Sequence, residues 1–391
     1  MSEIDHKNRK HALLSASGSE RWLNCTPSAR LEEKFEESSS VYGEEGTLAH
    51  EFAEIMVRHE LGELNKKEFN RQMKELRSHS LYSDEMEPEV QKYVDIIMGD
   101  YESKLTENGS AIALVEQRLD FSHIVEKGFG TGDTVIISDG VMDITDLKYG
   151  RGVRVHAEGN SQLMLYGLGA LRNFDMMFDI HTVKLNIVQP RLDHYDSWVI
   201  KVSDLKNWAE SWVKPQAAKA YLGEGKQIAG EWCKWCKVKA MCRALADYNI
   251  ELAKHEFADP QLLSKGEILG IYKQIPMLTD WANAVSAHML DKALGGEKWE
   301  GYKLVEGRSL RKWSDEDSVI SQLKKLRIPA KDIFKKTLIG IPAVEKLVDK
   351  EKFKENISPY VIKPQGSPTL VPESDRRPAL GIEQAKIDFK D

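Results

Sequence analysis

The chain has 391 residues, 41% of them hydrophobic, and a formal net charge of −7 with a pI near 6.0. This length is sufficient for a sizeable buried core and favours two domains. The net negative charge excludes a general attraction to nucleic acid, so any nucleic-acid binding must use local basic patches. No apolar run reaches the roughly 18 residues of a membrane span, and the N-terminus lacks the features of a signal peptide. With only four cysteines, these features predict a cytoplasmic protein.

The first part of the chain predicts a flexible lead over residues 1–14, followed over 15–31 by a short capped helix and loop around Trp22 and Cys25. A longer helix is predicted over residues 43–62, because apolar side chains recur there at helical spacing. Those side chains are Leu48, Phe52, Ile55 and Met56. Residues 63–84 are polar and predict a loop or a connecting helix.

Two polar side chains on this helix, His50 and Glu54, lie four residues apart on one face. The HExxH pattern of zinc proteases is excluded, because position 54 is glutamate rather than histidine. A single helical histidine is more often a packing or surface residue than a metal ligand. The residues alone therefore leave both roles open for His50.

The segment 87–106 has helical periodicity, and the segment 111–121 is typical of the first strand of a core sheet. Glu116, on that strand, has two interpretations: a position near the site, or a solvated strand residue, and the second is preferred. The glycines that follow it precede a strand instead of opening a helix, which excludes a dinucleotide-binding loop. No Walker-type phosphate loop occurs in the sequence, so the chain has no P-loop motor.

A β-hairpin is predicted where the apolar run Thr-Val-Ile-Ile and the run Val-Met-Asp-Ile-Thr-Asp-Leu-Lys flank an Asp-Gly turn. Because side chains alternate along a strand, Asp146 and Lys148 share a face and Leu147 points the other way. Asp133 is expected to begin the first strand of the hairpin. Two carboxylates and an ammonium group would then meet, which suits Mg²⁺ and an attacking water. Alone, an Asp-x-Lys strand is more often an exposed polar face.

Beyond the hairpin, Gln162 and Tyr166 share one face of a helix predicted to run to about Arg172. The preceding loop carries side chains that either contact DNA phosphates or face solvent: Arg151, Arg154 and His156. Strands at 181–190 and 196–202 and a helix from 203 follow. This order predicts an α/β fold with a mixed central sheet.

The four cysteines are Cys25, Cys233, Cys236 and Cys242, and the last three read Cys-x2-Cys-x5-Cys. Three thiols crowded among lysine and tryptophan are poor core material, although unrelated buried thiols are common. A thioredoxin-like redox site is excluded, because the preceding sequence predicts a loop. Four thiolates suit either a structural zinc ion or an iron–sulfur cluster, and their spacing leaves both open.

The C-terminal part predicts helices over residues 250–295. Segment 301–340 then carries ten lysines and arginines against five acidic residues. Tyr302 and Trp313 lie among these charges, and nucleic-acid bases stack on such rings. A lysine-rich solvent face is the equal alternative. From Gln365 onward the sequence is proline- and charge-rich and predicts an extended tail.

Three motifs follow one another in the sequence: Gly-Thr-Gly-Asp at 130–133, Asp-Leu-Lys at 146–148 and Gln-xxx-Tyr at 162–166. Together they resemble the RecB-type branch of the PD-(D/E)xK nucleases, in particular phage-encoded members. The resemblance implies a restriction-endonuclease-like core with a mixed central sheet flanked by helices. It also implies a Mg²⁺ or Mn²⁺ ion held by two carboxylates, one backbone carbonyl and a histidine from an early Gly-Thr-xx-His helix. Those ligands are Asp133, Asp146, Leu147 and His50.

In that family the lysine serves the attacking water, and the glutamine and tyrosine support the site and the DNA. The resemblance thus assigns catalytic roles to Asp133, Asp146, Lys148, Gln162 and Tyr166. Iron–sulfur members, including AddB-type and CRISPR-adaptation nucleases, place one cysteine before the core and a Cys-x2-Cys-x5-Cys trio after it. The same resemblance therefore implies a [4Fe–4S] cluster, with structural Zn²⁺ as the alternative. Such a cluster would tie the segment before the core to the segment after it.

The expected function is that of a Mg- or Mn-dependent deoxyribonuclease, an exonuclease rather than an endonuclease, in phage DNA recombination, replication or repair within the bacterial cytoplasm. Its expected partners are DNA with a single-stranded segment or end and, without a motor of its own, a separate helicase or single-strand-binding protein, but no membrane. The alternative is a catalytically silent DNA-end-binding scaffold. The predicted domains are the lead at 1–14, a nuclease core closed by the cysteines at 15–248, a helical C-terminal domain at 249–364 and the tail at 365–391.

Overall fold

The computed structural model describes the parts of the chain that position the site, namely residues 12–35, 41–253, 265–297, 299–300 and 302. These residues belong to the first of two compact units, which ends at Leu304. The predicted basic segment, apart from Tyr302, and the predicted tail lie outside the described residues. Among the described helices, none is both long and apolar enough to cross a membrane.

The described elements alternate between helices and strands as the sequence predicts. The helices are α1 (Ser19–Asn24), α2 (Ser28–Glu32), α3 (Val41–Glu60), α4 (Lys66–Arg77), α5 (Met86–Asn108), α6 (Ser161–Phe178), α7 (Val202–Trp208), α8 (Lys214–Leu222), α9 (Arg243–Ala253) and α10 (Lys265–Leu294). The strands are β1 (Ala111–Asp120), β2 (Phe129–Ser138), β3 (Val141–Leu147), β4 (Thr182–Gln189) and β5 (His194–Lys201). A π-helical turn joins α7 to α8, and short 3₁₀ turns follow β4 and α8.

The five strands form one mixed sheet in the order β1-β2-β3-β4-β5. Only the β3–β4 pair is parallel, and α6 makes the crossover between those two strands. The hairpin turn between β2 and β3 consists of Asp139 and Gly140, and Gly140 has a φ of 76°, a conformation that glycine adopts without steric cost. The predicted hairpin and the α/β fold with a mixed sheet flanked by helices are therefore confirmed.

Helices cover both faces of the sheet. Strand β2 presents apolar side chains to both faces in alternation, so each face forms a core with the helices that pack on it. Val135 and Ile137 belong to the core that includes α6. Ile136 belongs to the core formed with α3 and α5. Both cores are closed, since all three side chains have no exposed surface. The chain thus builds a three-layer unit in which α3 and α6 approach the sheet from opposite sides.

Several boundaries differ from the sequence prediction. Strand β2 begins at Phe129, so Asp133 lies within the strand and not at its start. Helix α6 continues to Phe178, beyond the predicted end at Arg172, because its apolar face stays in contact with the sheet. Leu14 is buried in the core although the predicted flexible lead includes it. The polar segment 63–84 contains helix α4, which confirms the connecting helix that was one of its two predicted alternatives.

Candidate active site

The centre of the candidate site is Asp133 on β2, which joins two other elements through its carboxylate. One oxygen, Oδ1, lies 3.1 Å from Nδ1 of His50 on α3. The other, Oδ2, accepts a 2.6 Å hydrogen bond from the backbone N–H of Leu147 at the end of β3. The structure therefore brings His50 to Asp133 as predicted. It shows the amide of Leu147 in contact with this carboxylate, while the role of the Leu147 carbonyl remains a prediction.

A second group of contacts surrounds Asp146, which is buried at the end of β3. The Nζ atom of Lys148 lies 2.8 Å from its Oδ2, so the two side chains do share a face of the strand. That oxygen accepts no well-directed hydrogen bond. Oδ1 of Asp146 accepts a 2.9 Å bond from the amide of Gln162, and the carbonyl oxygen of Gln162 accepts a 3.1 Å bond from Lys148. Gln162 thus fixes the lysine and the aspartate relative to each other.

Helix α6 presents Gln162 and Tyr166 because its N-terminus is capped by Asn160, whose side chain accepts from the backbone N–H groups of the first turn. The amide nitrogen of Gln162 lies 3.2 Å from the Tyr166 hydroxyl, so the predicted i, i+4 pair is in contact. Gly130 permits this packing, since a Cβ atom there would lie 2.6 Å from the ring of Tyr166. The first glycine of the Gly-Thr-Gly-Asp motif is therefore needed for the close approach of the Tyr166 ring to the strand, and not for a turn.

Glu116 on β1 is partly buried and also reaches the site, which is the less preferred of its two interpretations from the sequence. Its carboxylate and the ligand atoms of His50 and Asp133 all lie within 4.8 Å of one another. Its backbone has a φ of 50°, a left-handed conformation that is costly for a residue with a side chain. Its strand neighbours, Val115 and Gln117, pair with the neighbours of Asp133, so Glu116 stands opposite that aspartate. Strand register was the signal that could have identified it.

Burial and charge shift the proton affinities of the ligand candidates. Burial opposes the charged form of His50, but the charge and hydrogen bond of Asp133 overcome it and raise the pKa of His50 to about 9. Burial would raise the pKa of Asp133, yet His50, the Leu147 N–H and Lys148 lower it. The pKa of Glu116 rises to about 7, first from burial and then from the negative charge of Asp133.

The Asp-x-Lys pair follows the same physical chemistry. Burial raises the pKa of Asp146 despite the adjacent ammonium of Lys148, and the charge of Asp133 adds to the rise. Burial lowers the pKa of Lys148, but the Asp146 carboxylate outweighs it, so the pKa of the lysine lies above its usual value. The three carboxyl groups of the site can carry more negative charge than His50 and Lys148 neutralise. This excess favours the binding of a divalent cation.

The donor set at this point of the fold consists of carboxylate oxygens and one imidazole. Glu116 and Asp133 supply the oxygens and His50 supplies the nitrogen of this group, and Asp146 lies outside it although its charge acts on His50. Hard divalent ions such as Mg²⁺ and Mn²⁺ prefer oxygen ligands. These residues fit such an ion. Glu54, which the sequence places on the same face of α3 as His50, accepts a 3.0 Å hydrogen bond from Arg58.

The cationic loop between β3 and α6 has its own partners in this structure. Arg151 pairs with Glu85, and His156 lies 3.0 Å from the Asp196 carboxylate. Arg154 is exposed. All three side chains are exposed, and their contact with DNA phosphates stays a prediction.

The four cysteines, from two distant parts of the sequence, line one cavity between the α1–α2 region and the turns after α8. Burial raises the pKa of Cys25, of Cys233 and of Cys236, the last to about 12, and neighbouring thiols contribute to each rise. Within the described residues, no three cysteine sulfurs lie within 4.8 Å of one another. Four thiolates on one zinc ion at about 2.3 Å would be closer together than that. The thiols surround a common space without forming a compact ligand group.

Comparison with known proteins gives a family for the chain. A protein-family model described as "Protein of unknown function (DUF2800)" matches residues 11–378. The chain belongs to this family. A solved structure titled "Crystal structure of SSO0001" is similar to this chain over 56% of this chain and 94% of that chain, with 15% identity and a TM-score of 0.22. At this similarity the match gives no functional information.

Proposed function

We propose that this chain is a Mg²⁺- or Mn²⁺-dependent deoxyribonuclease with a core of the PD-(D/E)xK type. The observation that supports it most is the convergence of Asp133, Asp146 and Lys148 with His50 and Gln162, which come from four separate elements. A structural ion pair would need two of these groups. Five polar groups around one buried point are costly to desolvate, and a catalytic use explains that cost.

In this proposal His50, Glu116, Asp133 and Asp146 hold the ion, which when bound polarises a phosphodiester and supplies a nucleophilic water. Lys148 stabilises negative charge on the phosphate or orients the water, and Gln162 holds the lysine at the correct distance. Tyr166 supports Gln162 and borders the space in which DNA lies. These neighbours hold the reacting groups in a fixed orientation, and the rate of the reaction depends on that orientation.

The four-cysteine cavity is proposed to hold a [4Fe–4S] cluster that ties the α1–α2 region to the turns after α8. What supports this proposal is the order of the cysteines in the sequence and their position around one cavity; their sulfurs do not form a compact group within the described residues. Within a host cell, the substrate is proposed to be DNA with an end or a single-stranded segment. A separate helicase or single-strand-binding protein would present that segment.

The activity is tested with linear single- and double-stranded DNA labelled at the 5′ or the 3′ end, incubated with the purified chain and Mn²⁺. We expect loss of the linear substrates and survival of a covalently closed circle, which distinguishes an exonuclease from an endonuclease. Chelation of Mn²⁺ serves as the control. If every substrate survives while gel-shift assays show binding to DNA ends, the chain is a catalytically silent scaffold and the proposal is wrong.

Substitution of Glu116 by glutamine is expected to weaken Mn²⁺ binding by about tenfold or more, because the site loses one anionic ligand. The metal-free protein should melt at a slightly higher temperature, because the variant removes repulsion with Asp133. Calorimetric titration and thermal melting measure the two effects. Glu54→Gln is the matched control, since Glu54 pairs with Arg58 on the same helix. Equal Mn²⁺ affinity in both variants would exclude Glu116 as a ligand.

Metal binding is expected to release protons, because a bound ion requires neutral His50 and ionised Glu116. The pKa of His50 is about 9 and that of Glu116 about 7 in the metal-free protein. Affinity for Mn²⁺ should therefore rise with pH, by up to about tenfold per unit between pH 7 and pH 9, and more steeply below pH 7. Calorimetry in buffers of different protonation enthalpy counts the protons. His50→Asn should remove the dependence above pH 7, and a pH-independent affinity in the native chain would contradict the assignment.

A further inference from the structure

A second group of metal-binding side chains lies at the outer edge of the sheet and shares no residue with the proposed nuclease site. It consists of His156, in the loop between β3 and α6, and of His194 and Asp196 on β5. One ligand atom from each of the three side chains lies within 4.8 Å of the other two. Because side chains alternate along a strand, His194 and Asp196 project from the same face of β5.

The ring of His194 is already oriented for metal binding. This side chain is buried, and its Nε2 atom lies 2.9 Å from the carbonyl oxygen of Val155. A carbonyl can only accept, so Nε2 carries a proton, and in the neutral form of the ring Nδ1 has the free lone pair. Metal-binding histidines in proteins commonly have this arrangement, in which a backbone carbonyl fixes the ring and its tautomer.

The carboxylate of Asp196 is held at the same place by the loop. Its Oδ2 atom lies 3.0 Å from Nδ1 of His156 and accepts a 3.1 Å bond from the backbone N–H of Ala157. The buried side chain of Gln189 accepts from the Val155 N–H at 2.7 Å and holds the loop against the end of β4. His156 itself remains mostly exposed, so one side of the group is open to solvent.

We propose that His156, His194 and Asp196 form a binding site for a divalent transition-metal ion such as Zn²⁺, with solvent completing the coordination. Two imidazoles and one carboxylate suit Zn²⁺, Ni²⁺ or Fe²⁺ better than Mg²⁺, which prefers oxygen ligands. The ion would replace the proton that His156 and Asp196 share. The ion binding does not rest on the proposed nuclease function.

The position of this site gives the ion a defined effect. The loop that carries His156 begins with Lys148, directly after β3, and enters α6 just before Gln162. An ion on His156, His194 and Asp196 ties the middle of that loop to β5. It therefore fixes the connection between the strand and the helix whose side chains meet at Asp146.

The test compares Zn²⁺ bound per chain, by equilibrium dialysis and metal analysis in excess Mg²⁺, for the full-length protein as purified and for His156→Gln. The exposed side chain of His156 makes this variant safe for folding. We expect the variant to bind one Zn²⁺ fewer. His181→Gln is the matched control, because exposed His181 lies 3.5 Å from Asp179 and no third ligand joins them in the part of the chain that the structure describes. Equal stoichiometry in the native chain and His156→Gln, or an equal loss in the His181 control, would overturn the site.

A second measurement uses trypsin, which cuts after the exposed Arg154, two residues before His156. At a Zn²⁺ concentration about ten times the dissociation constant, cleavage there should slow about tenfold in the native chain. His156→Gln should lose this protection, while His181→Gln keeps it. Equal cleavage of the native chain with and without Zn²⁺ would show that no ion fixes the loop.

Discussion

Replacement of Lys148 by alanine is expected to lower the rate of DNA cleavage by about 10²- to 10⁴-fold. The ammonium group lies 2.8 Å from Asp146 and 3.1 Å from Gln162, where an attacking water and a phosphate oxygen would meet. DNA binding should persist, since the variant removes one charge and leaves the other side chains of the proposed site in place. Single-turnover cleavage in Mn²⁺ and a gel-shift assay measure the two properties. Cleavage at the native rate would remove the assigned role from this lysine.

Lys104→Ala provides the matched control, because Lys104 also pairs with a buried aspartate of β3. Its Nζ atom lies 3.1 Å from Asp143, which is 1% exposed. Loss of this lysine leaves a buried carboxylate without its partner and should lower the free energy of unfolding by about 3–5 kcal/mol. The remaining folded protein should cleave DNA normally. The two variants thus separate the loss of a buried ion pair from the loss of a catalytic group.

Replacement of Cys236 by serine is expected to remove the absorbance near about 400 nm of an iron–sulfur protein and to destabilise the fold. The cysteines join segments about 200 residues apart, and a cross-link closing such a loop stabilises by about 5 kcal/mol in the chain-entropy relation. Anaerobic purification, absorbance and denaturant unfolding with and without the substitution measure both effects.

Ser28→Ala serves as the control for the cysteine variant, because Ser28 lines the same cavity without offering a sulfur. The colour and most of the stability should remain in this variant. A colourless native protein containing one Zn²⁺ per four thiols would favour the structural zinc alternative. Native protein without metal, unfolding at the same denaturant concentration as Cys236→Ser, would exclude a stabilising cofactor of either kind.

Most of the secondary structure and much of the candidate site follow from local patterns in the sequence. The alternation of apolar residues around an Asp-Gly turn predicts the β2–β3 hairpin, and the same alternation places Asp146 and Lys148 on one face. Helical spacing places Gln162 beside Tyr166. The resemblance to RecB-type nucleases added His50, which the structure brings to Asp133. These relations depend on distances of a few residues, or on a motif order that the sequence shows directly.

The role of Glu116 could not be predicted in this way, because it depends on which residue of β2 lies opposite it. The strand register is set by packing on both faces of the sheet, and a shift of one residue would turn the side chain away. Its left-handed backbone conformation is also a property of the assembled strand pair, since nothing in the local sequence favours it. The meeting of Cys25 with the three later cysteines around one cavity likewise depends on how two distant segments pack, which local patterns do not show.

The sequence by itself determined the strands, the helices and the side chains that share a face, because the helical and strand periods fix these relations locally. The tertiary structure alone decided that Glu116 joins the acidic site and that His156 meets His194 and Asp196. Both meetings join segments that are distant along the chain. The first meeting depends on strand pairing, and the second depends on the path of a loop held by buried Gln189. Packing of the whole core determines both the strand register and that path.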